Sequence, residues 1–159
     1  LYRYRVGDIL RVVSFYNKAP QFKFVCRRDA VLSLDTEKTS EADLQKAVAA
    51  AEAVHLIPHN MRVTEFTSFA DTTTIPGHYV IYWELSPTTD QTEGFLADYL
   101  IEQCCLAIEE SLDASYKEMR VYDRSIGPLE IKVVKNGTFD RLMDFAVSSG
   151  ASVAQYKPP

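Results

Sequence analysis

Residues 78–85 restrict the possible folds of this chain more than any other segment. The run His-Tyr-Val-Ile-Tyr-Trp-Glu-Leu is rich in β-branched and aromatic side chains, which favour an extended strand. A strand of this kind belongs in a sheet, and segments with helical periodicity lie on both sides of it along the chain. We therefore expect strands and helices to share one core.

Further strands and helices alternate along the sequence. Strand-like segments occur at residues 11–15, 22–26, 30–34, 62–69 and 129–134, and the second and third of these are expected to pair as a hairpin. Ser40 and Asp43 resemble a capping box at the start of a first helix. A second helix is predicted over residues 95–117, and a third begins after Thr138 as its N-cap. This order predicts an α+β fold with a mixed sheet of about five strands and helices packed mostly on one face.

Composition and charge narrow the functional classes. The chain has 159 residues, of which 47% are hydrophobic, enough for one domain with a proper core. Its formal net charge is −5, and it carries no basic stripe. The charge pattern therefore gives no support for binding to nucleic acid or to a membrane surface. The longest apolar runs are also far too short to span a bilayer.

The cysteines and acidic residues do not indicate a disulfide framework or a metal centre. Cys26, Cys104 and Cys105 make an odd number with an adjacent pair, so reduced thiols in a cytoplasmic protein are the simpler interpretation. No convergent set of cysteine and histidine ligands is evident, and no metal site is expected. The pair Glu109–Glu110 is interpreted as surface.

The first residues could form a nucleotide site. Tyr4, Arg5, Val6, Gly7 and Asp8 follow one another in a strand-like run that is already under way at Leu1, which is typical of a piece of a longer protein. Glycine permits the backbone to approach a nucleotide closely, and an aspartate at the end of a strand can accept hydrogen bonds from ribose hydroxyls. The alternative is an ordinary turn aspartate, since glycine and aspartate are common turn residues.

Several basic residues also have two interpretations. Lys157, near the other end, is either a solvated surface charge or a ligand for phosphate. Arg27 and Arg28 could contact phosphate or AMP, or could pair with acidic neighbours. His78 could act as a general base for an amine, although a structural role at the start of a strand is the more common use.

A set of short motifs resembles one family in the correct order and over almost the whole chain. The sequence is similar to the plant auxin-responsive acyl-acid amido synthetases (the Gretchen Hagen family), and more to their auxin-conjugating branch than to the jasmonate-conjugating one. The motifs are Leu1–Asp8, Ala19–Arg28, Ile75–Tyr79, Trp83-Glu84, Glu102–Cys105, Ser125–Ile131, Gly137–Phe139, Gly150–Ser152 and Gln155–Lys157.

The resemblance implies the C-terminal lid domain of an adenylate-forming enzyme. Such an enzyme uses ATP with Mg²⁺ to adenylate a carboxylic acid, here indole-3-acetic acid, and then transfers the acyl group to an amino acid. Asp8 would contact the ribose, with Tyr4, Arg5 and Gly7 in the same motif, and Lys157 would be the catalytic lysine that the lid carries to the α-phosphate. Residues 1–18 would be the edge of a large N-terminal domain plus the hinge, and residues 19–159 the lid.

Two departures and one rival interpretation accompany this resemblance. The family usually continues past the lysine with proline, arginine and cysteine, whereas Pro158 and Pro159 follow here. The loop at residues 88–95 also differs from the usual length or composition. The rival is a non-catalytic α+β binding or regulatory module. If the resemblance holds, the chain alone is expected to be inactive, because the acyl pocket would lie in the large domain, whose residues the chain lacks.

Overall fold

An antiparallel hairpin opens the part of the chain that the computed structural model describes, which comprises residues 8–27, 31–34, 37–88 and 98–150. Strand β1 (Asp8–Tyr16) pairs with β2 (Ala19–Arg27). The two-residue turn between them begins at Asn17, whose φ of 53° lies in the left-handed region that asparagine tolerates. The hairpin belongs to the first of two compact units, Leu1–Val31, and the second unit is Leu32–Pro159.

The hairpin predicted between residues 22–26 and 30–34 is wrong. Residues 22–26 lie in β2, whose partner is β1, and β3 (Val31–Leu34) pairs instead with β4 (Glu37–Ser40). The short turn at Asn17 closes the first hairpin with little loss of chain entropy. Strand β1, which comes just before the turn, is therefore the nearer partner for residues 22–26. Residues 8–15 are therefore paired within this hairpin, and residues 1–7 lie outside the described ranges.

The first helix begins at the predicted cap. Helix α1 (Glu41–Ala51) begins after Ser40, whose hydroxyl accepts from the Asp43 N–H at 3.2 Å and donates to the Asp43 carboxylate at 2.6 Å. It continues as a π-helical turn (Glu52–Leu56) and a 3₁₀ turn (Ile57–His59). The helical path ends at Asn60, which has a φ of 57°.

The second predicted helix is divided into two in the structure. Helix α2 (Asp98–Ser111) stops, and α3 (Ala114–Glu118) begins with Asp113 as its N-cap. The Asp113 carboxylate accepts from the Tyr116 N–H at 2.8 Å, so the side chain that was assigned to a helix interior starts a new helix. A π-helical turn (Met119–Asp123) follows α3.

Three strands form a mixed sheet in the second unit. Strand β6 (His78–Pro87) lies between β5 (Met61–Asp71), its antiparallel partner, and β7 (Glu130–Val134), its parallel partner. With β3 and β4 the unit has five strands among the described residues, in one two-stranded and one three-stranded sheet, and the α+β class is confirmed. Helix α4 (Thr138–Ser148) follows β7, and its N-cap is Gly137 rather than the predicted Thr138.

The hydrophobic core lies between the mixed sheet and helices α1 to α3. Tyr79, Ile81 and Trp83 alternate along one face of β6 and are fully buried. The helices contribute buried side chains at helical spacing: Leu44, Ala47, Val48 and Ala51 from α1, Leu100, Cys104 and Ile108 from α2, and Tyr116 from α3. Of the helices in the described ranges, none is long and apolar enough to cross a membrane.

A buried carboxylate is tied into this core by hydrogen bonds. Glu37 of β4 is fully buried and accepts from the Thr39 hydroxyl at 2.6 Å and from the Tyr79 hydroxyl. Burial, followed by the hydrogen bond to Glu37, raises the pKa of Tyr79 well above its usual range, so the phenol remains a donor. The Tyr79 ring also stacks on Tyr116, with 5.6 Å between the ring centroids.

We predict that Tyr79→Phe lowers the free energy of unfolding by about 1–3 kcal/mol, because a buried carboxylate loses one of its donors. Urea denaturation of the chain measures the change. Tyr99→Phe is the matched control, since Tyr99 is exposed and its loss of a hydroxyl should change stability by no more than about 0.5 kcal/mol. Equal effects of the two substitutions would show that the Glu37 contact contributes nothing.

Candidate functional site

The backbone pairs two of the nucleotide-site residues that the family resemblance implies, and the others of that set lie outside the described ranges. Asp8 is the first residue of β1 and Arg27 the last of β2, and they are cross-strand partners at the open end of the hairpin. Tyr4, Arg5, Gly7, Arg28 and Lys157 lie outside the described residues. The backbone thus places a candidate ribose ligand beside a candidate phosphate ligand.

An open groove of about 560 Å³ lies in the second unit, where the loop before β6 meets α2 and the start of β7. Its walls include Ile75 and Pro76 from the loop, Ile101 and Cys105 from α2, and Leu129 before β7. It contains residues from three of the motifs that carry the family resemblance. These three motifs, which are far apart in the sequence, therefore meet at this groove.

Two glycines allow the segments at this groove to approach closely. The Gly127 N–H donates to the Gly77 carbonyl at 2.8 Å. A Cβ on Gly77 would lie 2.9 Å from the Asp71 carbonyl oxygen, and one on Gly127 would lie 3.2 Å from the His78 Cβ. Any side chain at Gly77 would therefore push this residue away from the end of β5, the strand that precedes the loop.

His78 connects the loop to β7 across the groove. Its Nδ1 lies 3.3 Å from the Thr74 hydroxyl oxygen, and its Nε2 lies 3.4 Å from the Glu130 carboxylate. Glu130 also contacts the Lys132 ammonium at 3.1 Å. Because both ring nitrogens already have neighbours, the geometry supports the structural role for His78 more than that of a general base.

The cysteine in the groove wall is a poor nucleophile. Burial raises the pKa of Cys105 to about 11, with nearby glutamates acting in the same direction. Burial likewise raises the pKa of Cys104 to about 12. Both thiols are free cysteines and stay protonated at neutral pH, as structural cysteines do.

A histidine pair with a spacing found in metal sites does not converge on a metal here. His55 and His59 are four residues apart, an HxxxH spacing that the interpretation of the sequence wrongly took to be absent. In the structure the His59 Nδ1 lies 2.9 Å from the His55 carbonyl oxygen and has the geometry of a backbone hydrogen bond. Within the described residues no cluster of three or more potential metal ligands is present.

A carboxylate from the sheet holds the start of α4. Glu84 of β6 is buried, and its two oxygens accept from the Gly137 N–H at 2.7 Å and from the Phe139 N–H at 3.0 Å. The hydrogen bond from Phe139, supported by that from Gly137, holds the pKa of Glu84 below its usual range, although burial acts in the opposite direction. The sequence signal that could have indicated this role is that Glu84 is the only acidic residue of β6.

Glu109 has a structural role that its sequence context did not reveal. One of its carboxylate oxygens accepts from the Tyr116 hydroxyl at 3.0 Å, the Arg120 Nε at 2.8 Å and the Leu129 N–H at 2.9 Å. Its side chain is only 13% exposed, so the surface interpretation is wrong for Glu109, while Glu110 is exposed as expected. The donors lie 7 to 20 residues away, beyond any local pattern.

Comparison with known families identifies the class of protein. The GH3 family C-terminal domain matches residues 42–159, and the GH3 family central domain matches residues 1–27. Because the first match covers most of the chain, this chain belongs to the GH3 family. The resemblance to the acyl-acid amido synthetases is thereby confirmed.

Individual relatives are similar along the whole chain. It is 59% identical to the indole-3-acetic acid-amido synthetase GH3.4 of Arabidopsis thaliana, over 100% of this chain and 26% of that protein. It is 54% identical to the probable indole-3-acetic acid-amido synthetase GH3.11 of Oryza sativa subsp. japonica, again over 100% of this chain and 27% of the relative. The chain thus spans about a quarter of the length of these curated relatives.

A solved structure has the same fold. The AtGH3.15 acyl acid amido synthetase in complex with 2,4-DB is 53% identical and superimposes with a TM-score of 0.79, covering 100% of this chain and 28% of that protein. This match agrees with the α+β architecture described above.

We predict that Glu84→Gln destabilises the chain by about 1–3 kcal/mol at pH 7, because an amide cannot accept both helix N–H groups. A lowered pKa in the folded state means that the carboxylate stabilises the fold above the pKa of an unfolded glutamate, about 4.3, and that this stabilisation is lost as the pH falls through the folded value. Urea unfolding of the wild type and of Glu84→Gln between pH 7 and pH 3 should show that their difference in free energy of unfolding shrinks as the pH falls. Exposed Glu110→Gln is the control and should give no pH-dependent difference; a difference for Glu84→Gln that stayed constant down to pH 3 would contradict the assignment.

Proposed function

We propose that this chain is the C-terminal part of an ATP-dependent acid–amino acid ligase that conjugates a plant hormone carboxylic acid, indole-3-acetic acid, to an amino acid. The observation that carries the proposal is 59% identity along the entire chain to a protein named for that activity. In the reaction a carboxylate oxygen attacks the α-phosphorus of ATP and pyrophosphate leaves. The amine of the amino acid then attacks the activated carbonyl carbon, and AMP leaves.

The described residues suit the role of a lid that works with a larger N-terminal domain. The second unit has a closed core, and its groove is open. The acyl pocket and the phosphate-binding loop would belong to the remainder of the enzyme, since the chain covers only 26% of its relative. Domain closure is a common means by which an enzyme completes its catalytic groups only when substrate is bound.

The hairpin β1–β2 supports the existence of that larger domain. Its side chains Val12, Val13, Phe15 and Phe22 are between 48% and 66% exposed. An isolated two-stranded hairpin is marginally stable, and so large an apolar exposure is typical of a surface that another part of a protein covers. The match of residues 1–27 to the GH3 central domain supports the same conclusion. The proposed division between residues 18 and 19 falls in the turn of this hairpin and remains a prediction.

The proposed site residues are those that the family resemblance implies. Asp8 would accept hydrogen bonds from the ribose, with Tyr4, Arg5 and Gly7 in the same motif, and Arg27 and Arg28 could contact phosphate at the hinge. The pairing of Asp8 with Arg27 fits a nucleotide, because an acceptor for hydroxyls and a donor for phosphate then share one end of the hairpin. Mg²⁺ would bind with ATP through the large domain.

Lys157 is the proposed catalytic residue. Two anions, the carboxylate and the α-phosphate, must come together in the first step, and an ammonium group offsets their repulsion. If the lysine arrives only when the lid closes, its charge acts mainly on the transition state.

The rival interpretation, a non-catalytic binding or regulatory module, has no feature of the described residues in its favour. The two relatives reported above match this chain along its whole length, and both carry the name of an amido synthetase. We also propose a cytoplasmic location, which is consistent with the free thiols of Cys104 and Cys105.

In the full-length enzyme, Lys157→Ala should slow carboxylate-dependent ATP–pyrophosphate exchange about a hundredfold to a thousandfold, because one preorganised donor to the transition state is lost. Asp8→Ala should mainly raise the KM for ATP, since a ribose contact is similar in the ground and transition states. Lys38→Ala, at an exposed lysine of the same unit, is the matched control and should leave the exchange rate unchanged. Near-normal exchange by Lys157→Ala would rule out the assigned role of this lysine.

The chain of 159 residues alone should catalyse no exchange with indole-3-acetic acid or other carboxylic acids, because the acyl pocket would lie elsewhere in the enzyme. The same assay on the full-length enzyme is the positive control. Carboxylate-dependent exchange by the isolated chain would overturn the lid assignment.

A further inference from the structure

We propose that the groove beside loop 72–77 is the surface by which the second unit docks on the part of the enzyme outside this chain, with Ile75 as its apolar anchor. The inference rests on the proposed function, because it requires a larger N-terminal domain in the same polypeptide. It goes further by assigning a contact to Ile75, which belongs neither to the proposed nucleotide site nor to the hydrophobic core.

Ile75 is the most exposed large apolar side chain of the described residues, with 100% exposure. It lines the groove together with Pro76, Ile101 and Leu129. A lone exposed apolar residue is ordinary, but one that projects beside an apolar groove is typical of a binding surface. Ile75 also belongs to a motif that carries the family resemblance. Core packing explains the buried Tyr79 of that motif but not the exposed Ile75.

Hydrogen bonds hold the loop that carries Ile75. The Asp71 carboxylate accepts from the Thr73 N–H at 2.8 Å and from the Thr73 hydroxyl at 2.6 Å. The Thr74 hydroxyl donates to the Pro76 carbonyl oxygen at 3.2 Å. At its end the loop is joined to the segment before β7 by the contact between the two glycines. An anchor preorganised in this way loses little conformational entropy when a partner covers it.

The groove also indicates the chemistry of the surface that fits it. Beside the apolar walls it is lined by Glu102, which is exposed, and by Glu130, which contacts Lys132 at 3.1 Å. Charges across an interface are arranged so that opposite signs meet. The complementary surface therefore presents an apolar side chain next to a lysine or arginine that faces Glu102.

The large N-terminal domain fits this groove better than a second copy of the protein does. The chain spans about a quarter of the length of its relatives, so most of the surface of the same polypeptide lies outside it. A tethered partner is present at high effective concentration and needs only a small contact. A stable contact between separate molecules takes about 20–30 residues on each side, whereas twelve residues line this groove.

Photo-cross-linking in the full-length enzyme identifies the partner directly. A benzophenone amino acid replaces Ile75, and in the control it replaces Ile57. Ile57 is also followed by proline and is 53% exposed, but it lies before the start of β5, whereas loop 72–77 follows the end of that strand. Irradiation with ATP and indole-3-acetic acid present should join position 75, but not position 57, to a peptide of the N-terminal domain in the same molecule.

Other cross-linking results would overturn the inference. These are the absence of that cross-link, cross-links from position 75 between two enzyme molecules, and the same product from position 57.

Substitutions in the full-length enzyme test whether the contact matters for the reaction. Ile75→Asp should lower kcat for amide formation about tenfold to a hundredfold, because an interface loses its apolar anchor. The melting temperature should be nearly unchanged, since Ile75 is fully exposed. Ile75→Leu keeps an apolar anchor and should retain a kcat close to that of the wild type. No loss in Ile75→Asp, or an equal loss in the control Ile57→Asp, would overturn the inference.

The charge of the partner surface has its own test. Glu102→Lys should also lower kcat, because it places a cation against the expected lysine or arginine. Glu110→Lys changes an exposed glutamate of the same helix outside the groove and should leave kcat unchanged. Equal values of kcat for these two variants would contradict the charge assigned to the partner.

The two kinds of measurement distinguish failure of this inference from failure of the proposed function. A wild-type enzyme that forms no amide from indole-3-acetic acid and an amino acid would overturn the proposed function, while the cross-link from position 75 would still test the contact. An active enzyme that lacks this cross-link and is insensitive to Ile75→Asp would overturn the inference alone.

Discussion

Burial of both faces of strand β6 is the constraint on which the second unit depends. On one face Tyr79, Ile81 and Trp83 fill the core against three helices, and on the other Val80 and Glu84 are also buried. A strand buried in this way must be central, with a partner along each edge, and β5 and β7 provide those partners. The groove and the anchor of α4 both start from residues of this strand.

Buried and partly buried carboxylates connect this strand and the helices to distant parts of the chain. Glu37 accepts from Tyr79, Glu84 accepts from the first turn of α4, and Glu109 accepts from α3, the turn after it and the residue before β7. A buried charge without partners is strongly unfavourable, so each of these groups is tolerated only when its donors are in place. The carboxylates thereby select one arrangement of elements whose apolar surfaces alone could pack in several ways.

The two units differ in how complete they are. The second unit buries a continuous core of its own, whereas the hairpin of the first exposes large apolar side chains along both strands. This contrast agrees with the two family matches, one to a C-terminal domain and one to a central domain.

The sequence alone determined the features that depend on near neighbours and on ordered motifs. These were the cap of α1 at Ser40, the strand at residues 78–85 and membership of the family. Only the tertiary structure decided the partner of residues 22–26, the new helix at Asp113 and the roles of Glu84 and Glu109. The physical reason is range: caps and periodicity act within about four residues, whereas strand partners and buried carboxylates depend on which distant groups the whole fold brings into contact.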